Sequence, residues 1–192
     1  EIKSDSLQLK SAYYVGTTYE NRGFYRLGIN WMDIAEKKAV EIDHKLWVAR
    51  INNSKGICYD YLGQWDNAVE VYLKALNIFI EADDKQGMSN TYNKLGLIKY
   101  NQKQYKIADS LYRISLKIAE STGKPKYSAA ALSNLGMLNK EMGNIEKALE
   151  YYGKTLAIEL NEKPNNPAYI GSDYHNIQGC PSRRACACPL LL

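Results

Sequence analysis

The stretch LGMLNKEMGNIEKALEYYGKTL, residues 135–156, decides the fold. It places Gly136 in the middle of an otherwise helical pattern, where glycine costs roughly 1 kcal/mol relative to alanine. Three more glycines stand upstream at steps of 40 residues, Gly16, Gly56 and Gly96. Other columns keep the same register. Nine residues after each glycine come Tyr25, Trp65, Tyr105 and Ile145; twelve after, Gly28, Ala68, Ala108 and Ala148; sixteen after, Met32, Tyr72, Tyr112 and Tyr152. Seven after stands a second glycine, Gly23, Gly63 or Gly143, with Lys103 in the third copy. A fixed period of this length marks a chain built from stacked supersecondary units.

Each unit reads as two helices. In the third copy Tyr92, Leu95, Gly96 and Tyr100 form an apolar stripe at three- to four-residue spacing, NQKQ interrupts it, and Tyr105, Ala108, Leu111, Tyr112 and Leu116 form a second stripe. The glycines seven residues on sit where a helix ends in the left-handed conformation. EADDKQG (81–87) and ESTGKP (120–125) are polar turns between units, and no proline occurs before Pro125. The mid-helix glycines, with small residues in the second helix, remove bulk where the paired helices cross. Together they cost roughly 4 kcal/mol of helix propensity, which close packing has to offset.

The units fall at about 9–48, 49–88, 89–128 and 129–168, a fifth begins over 169–178, and 179–192 is a non-repeat tail, disordered or not native to the repeat sequence. The expected fold class is all-α, a right-handed solenoid of four complete helical hairpins and a partial fifth.

This pattern resembles the tetratricopeptide repeat: a bulky residue, Leu-Gly, Tyr three later, Gly, an aromatic, Ala, an aromatic, then Ala-Leu. The second copy carries Gly56, Tyr59, Gly63, Trp65, Ala68, Tyr72, Ala75 and Leu76, and the fourth carries Leu132, Leu135, Gly136, Gly143, Ala148, Tyr152 and Leu156. Gly28 in the first copy and Lys55 before Gly56 depart from the pattern. The 40-residue period exceeds the usual 34. Extended units of this kind are similar to those of bacterial regulators and sensors. The resemblance implies a protein- or peptide-binding scaffold whose first helices line a concave groove, serving as the sensing or partner-binding part of a larger regulator.

Carried onto this chain, the family's groove positions are Tyr13 and Thr17 with Lys10 and Glu20; Arg50, Asn53 and Ile57 with Asp60; Asn90, Asn93, Leu97 and Tyr100; and Ser133, Met137 and Lys140 with Ala130. Asn53 and Asn93 suit a peptide backbone, and Ile57, Leu97 and Met137 make an apolar column. Thr17, Ile57, Leu97 and Met137 stand where the family's carboxylate clamp needs asparagine, so that clamp is not expected. Each of these residues has a plainer reading as a contact to the next repeat.

The remaining features exclude more than they assign. The net charge of +4 over 192 residues includes Arg183 and Arg184 of the tail, and no concentrated basic face suggests a nucleic-acid partner. No apolar run approaches the ~20 residues of a membrane span. The chain starts at Glu1 and reads as a mature or excised fragment, soluble in the cytoplasm or periplasm. Cys58 is the only cysteine before Cys180 and reads as a small buried apolar residue. Cys180, Cys186 and Cys188, with only His175 nearby, lack the paired spacing of a zinc site; no metal and no cofactor are expected. His44 reads as a solvated turn residue, STGKP (121–125) lacks the spacing of a phosphate loop, and no catalytic constellation is present, so an enzyme is not expected. The alternative to a binding scaffold is self-assembly through open solenoid ends, with pairing of two copies through the C-terminal partial repeat.

Overall fold

The computed structural model describes residues 2–162, with side chains over 5–161. Among the described residues there are eight α-helices and no strand, in consecutive helix-turn-helix pairs: α1 Ile2–Asn21 with α2 Tyr25–Glu41, α3 Lys45–Tyr61 with α4 Trp65–Glu81, α5 Lys85–Asn101 with α6 Tyr105–Glu120, and α7 Ala129–Glu141 with α8 Ile145–Glu162. A 3-10 turn, Pro125–Tyr127, precedes α7. The all-α class of helical hairpins expected from the period is the one found. The expected fifth repeat start and the tail lie outside the described residues.

The period has a simple composition. Helices α3 and α4 each have 17 residues, separated and followed by three-residue turns at 62–64 and 82–84. The turn after α3 shows how each hairpin is closed. Gly63 takes φ +70°, its N–H donates to the Asp60 carbonyl at 2.9 Å, and the Gln64 N–H donates to the Tyr59 carbonyl at 2.9 Å. This is a Schellman ending, which satisfies carbonyls the last helical turn leaves open. The third hairpin closes the same way although Lys103 occupies the left-handed position, at φ 59°.

The chain divides into two compact units, Glu1–Ile98 and Lys99–Leu192. In the first, Leu9, Ala12, Met32, Ala35, Ile51 and Cys58 form a buried cluster that joins α1, α2 and α3. The repeat glycines Gly16, Gly56 and Gly136 explain the hairpin crossings. A Cβ on Gly56 would collide with the ring of Tyr72, sixteen residues on, and Gly16 faces Met32 in the same way at 3.0 Å. The aromatic column thus fills the space the glycines leave, over the small residues of the twelve-residue column such as Ala68, itself fully buried. In the second unit a Cβ on Gly136 would lie 2.6 Å from the Tyr152 ring, and Ala108, Tyr112, Leu135 and Leu138 make the core. Burying a large side chain contributes about 1.5–3 kcal/mol, so each such ring outweighs the helix propensity its glycine loses.

Successive hairpins are fitted by exchanging large and small residues. A Cβ on Gly87 of α5 would overlap the Phe79 ring of α4. One period earlier the sizes are reversed: Ala39 is buried, and Trp47 packs into its cluster.

Lys55 is the departure with the largest structural consequence. Its ammonium is 2.6 Å from Asp33 Oδ1 and 2.9 Å from Glu36 Oε2, and the Asn52 amide donates to Glu36 Oε1 at 2.6 Å. The ordinary apolar contact between α3 and α2 is replaced here by a hydrogen-bonded charge cluster.

Candidate functional site

Helices α1, α3 and α5 are the first members of their hairpins, and the expected groove residues of the first unit lie on them. Tyr13 is half-buried: its ring meets Trp47 edge-on at 5.1 Å between centroids, and its hydroxyl is 3.2 Å from Ser54 Oγ. Thr17 is half-buried and donates to the Tyr14 carbonyl at 3.0 Å. Arg50 and Asn90 are exposed, and the Arg50 guanidinium lies 5.7 Å from the centre of the Trp47 ring. Ile57 and Leu97 are half-buried.

The two matched asparagines differ. Asn53 is half-buried; its Oδ1 lies 3.4 Å from the Thr91 hydroxyl, whose proton goes to the Gly87 carbonyl at 2.8 Å. The Asn53 amide hydrogens have no partner among the described residues. Asn93 is buried and bonded. The Asn53 amide hydrogens are thus unengaged among the described residues, while Asn93 belongs to the packing of α5.

Glu20 and Asp60 end the α1 and α3 stripes, and both carboxyls are pushed above their ordinary range by burial. Lys94 of α5 opposes the shift at both, and the Trp65 indole N–H bonded to Asp60 opposes it further. The charge of Lys94 thus acts on two partly desolvated carboxyls at once. Lys94 and Trp47 escaped the sequence reading. Lys94 stands two residues before Gly96, in a column with Tyr14, Ser54 and Asn134 that carries no charge pattern of its own. Beneath this cluster Cys58 is fully buried; burial, then the nearby Glu20, push its thiol up to about 12.

In the second unit Tyr100, Ser133, Met137 and Lys140 are all half-buried. Tyr100 lies against Tyr105 at 5.7 Å, and burial, then Glu141 and Tyr105, raise its phenol. Among the described residues no group of three or more His, Cys, Asp or Glu side chains could hold a metal ion, and no helix is long and apolar enough to cross a membrane.

Comparison with known proteins agrees with the helical-repeat fold. Two family models, both described as tetratricopeptide repeat, match residues 87–159 and 53–78. The protein ycf37 of Pyropia yezoensis is 28% identical over 136 residues, 71% of each chain. Among solved structures, aspartyl phosphate phosphatase F from Bacillus subtilis is similar with a TM-score of 0.75 at 19% identity, over 90% of this chain and 49% of that one. The Rap conjugation gene regulator of the plasmid pLS20, solved in complex with the Phr* peptide, has a TM-score of 0.67 at 20% identity, over 86% of this chain and 50% of that one. The chain spans about half the length of these two structures.

Proposed function

The chain belongs to the tetratricopeptide repeat family, and we propose that it is a binding scaffold that holds an extended segment of a partner protein on the α1, α3 and α5 stripes of its first unit. The observation that carries this reading is the half-buried Asn53, whose amide hydrogens have no partner among the described residues. An extended backbone supplies the carbonyls Asn53 lacks, and apolar side chains of the segment rest on Ile57 and Leu97. In the second unit Ser133, Met137, Lys140 and Tyr100 offer a contact surface of their own. The likeness to phosphatase F and to a conjugation gene regulator solved with a peptide supports a place within a larger regulator.

The test is an array of immobilised extended peptides probed with the purified chain, followed by titration of the strongest binder. Asn53→Ala with Ile57→Ser is expected to weaken that peptide at least about tenfold, the effect of ~1.4 kcal/mol. Undiminished binding moves the site off these helices.

A second reading, self-assembly, has one observation in its favour. Leu7, Tyr14 and Trp31 are 66%, 61% and 37% exposed, whereas Ser54 and Val71, one period after Tyr14 and Trp31, are buried. Light scattering decides it: a dimer that Trp31→Glu abolishes supports this reading, and a monomer at high concentration removes it.

A further inference from the structure

The turn between α6 and α7 breaks the repeat. Helix α3 begins at Lys45 and α5 at Lys85, yet α7 begins only at Ala129, with the 3-10 turn Pro125–Tyr127 where the first helical turn belongs. A cleft of about 630 Å³ opens beside it, against 250 Å³ for the same position two repeats earlier. The substitutions explain the difference. At the earlier junction Glu36 and Asn52 are bonded to each other and Val48 stands at the wall; eighty residues on, the cleft is lined by Leu116, Leu132 and the smaller Ser128. Tyr151, Ala157 and Ile158 of α8 complete an apolar floor. The volume lies within the range of small-molecule sites.

Three features at its mouth favour an anion. Ser128, the residue that caps α7, is 4% exposed and makes no cap hydrogen bond, and its hydroxyl has no partner among the described residues. The first N–H groups of the 13-residue α7 lie alongside, since Ser128 and Leu132 both line the cleft, and a helix N-terminus attracts negative charge. Lys124 also lines the cleft; it and Lys126 are held only over the Tyr127 ring, at 5.7 and 5.4 Å, with no carboxylate partner among the described residues. Against these, Glu120 is the one acid in the lining among the described residues, and Lys154 opposite is engaged by Glu150 at 2.6 Å.

We propose that this cleft binds a small amphiphilic carboxylate, its aliphatic body against Leu116, Leu132 and Ile158 and its head group at Ser128, Lys124 and the α7 N-terminus. The site is confined to the second unit and is independent of the peptide-binding face proposed for the first. Its test is calorimetric titration of the whole chain with sodium decanoate, and with decylammonium as a probe of equal apolar body and opposite charge. Decanoate is expected to bind once per chain and decylammonium at least tenfold more weakly. Lys124→Glu, an exposed position that leaves the core intact, should weaken decanoate at least tenfold, and Ala157→Trp, which fills the floor, should abolish it with an unchanged circular dichroism spectrum. Absence of saturable decanoate binding overturns the proposal. So does equal binding of the two amphiphiles, or decanoate binding that survives both substitutions.

Discussion

The ring of Tyr72 occupies the space that any side chain on Gly56 would need, and fifteen residues of intervening helix and turn hold the two together. Gly153 of α8 is the opposite case, a helical glycine with nothing within 4 Å of its missing Cβ. Alanine should therefore have opposite effects at the two sites. Gly56→Ala should destabilise by about 1–3 kcal/mol through overpacking, more than the roughly 1 kcal/mol that helix propensity returns. Gly153→Ala should stabilise by about 0.5–1 kcal/mol. Urea denaturation of both variants decides; equal signs would remove the account of the repeat glycines given above.

Lys103 alone takes the left-handed position that glycine holds in the other three hairpin turns. A side chain there costs about 1–2 kcal/mol, partly offset by the greater unfolded-state freedom of glycine. Lys103→Gly is expected to raise stability by about 0.5–1 kcal/mol, read as a rise in Tm.

The Lys55 cluster predicts an alkaline signature. Burial alone lowers the Lys55 ammonium, but the hydrogen bonds to Asp33 and Glu36 and their charges more than offset it, so its pKa in the fold lies above the ordinary lysine value. The stabilisation is present in full below the unfolded pKa, near 10.4, and is lost as pH rises through the higher folded value. Lys55→Leu restores the apolar contact usual in the family, and Asp33, 55% exposed, can turn to water. At pH 7 that variant should be less stable than the parent by about 1–3 kcal/mol, because the partly buried Glu36 carboxylate is left without its ammonium. Between pH 9 and 11.5 the parent should lose stability faster than the variant. Parallel urea midpoints across that range would refute the assignment.

Burial of Cys58, with its thiol pushed up to about 12, leaves almost no thiolate at pH 8 in the folded chain. Its alkylation by iodoacetamide, followed peptide by peptide in a mass spectrometer, should run at the rate of unfolding and accelerate with sub-denaturing urea. Labelling of Cys58 at the speed of a free thiol would show that the α1–α2–α3 core is open.

Glu20 and Asp60 are held above the ordinary carboxylate range. A raised folded pKa means that these groups favour the fold below about pH 4 and oppose it as they ionise through the folded value. Glu20→Gln should therefore stabilise the chain at pH 7 and leave it less sensitive to pH between 4 and 6, while weakening any peptide held at this end of α1. A Tm at pH 7 unchanged or lowered by Glu20→Gln would contradict the burial cause.

Much of this molecule was legible in its residues because the relevant physics is local or periodic. The constant interval of Gly16, Gly56, Gly96 and Gly136 announces paired helices. Gly63 marks a left-handed ending because only a residue without Cβ adopts it cheaply, and the column of Tyr72 and Tyr152 has the size to cover the glycines. The groove positions came from family resemblance, and their register along α1, α3 and α5 could be written down without coordinates.

Availability could not. Asn53 and Asn93 are the same residue in the same column, yet one keeps free donors and the other is buried and bonded. Lys94 facing Glu20 and Asp60, Lys55 bridging to Asp33, Phe79 against Gly87, and Ser128 left without a cap partner all depend on which side chains adjoining hairpins bring together. One chain alone determines its helices and its period through bonds and steric limits within a few residues. Burial, partner and charge at each site belong to the tertiary structure, because they arise from contacts between residues that the sequence keeps far apart.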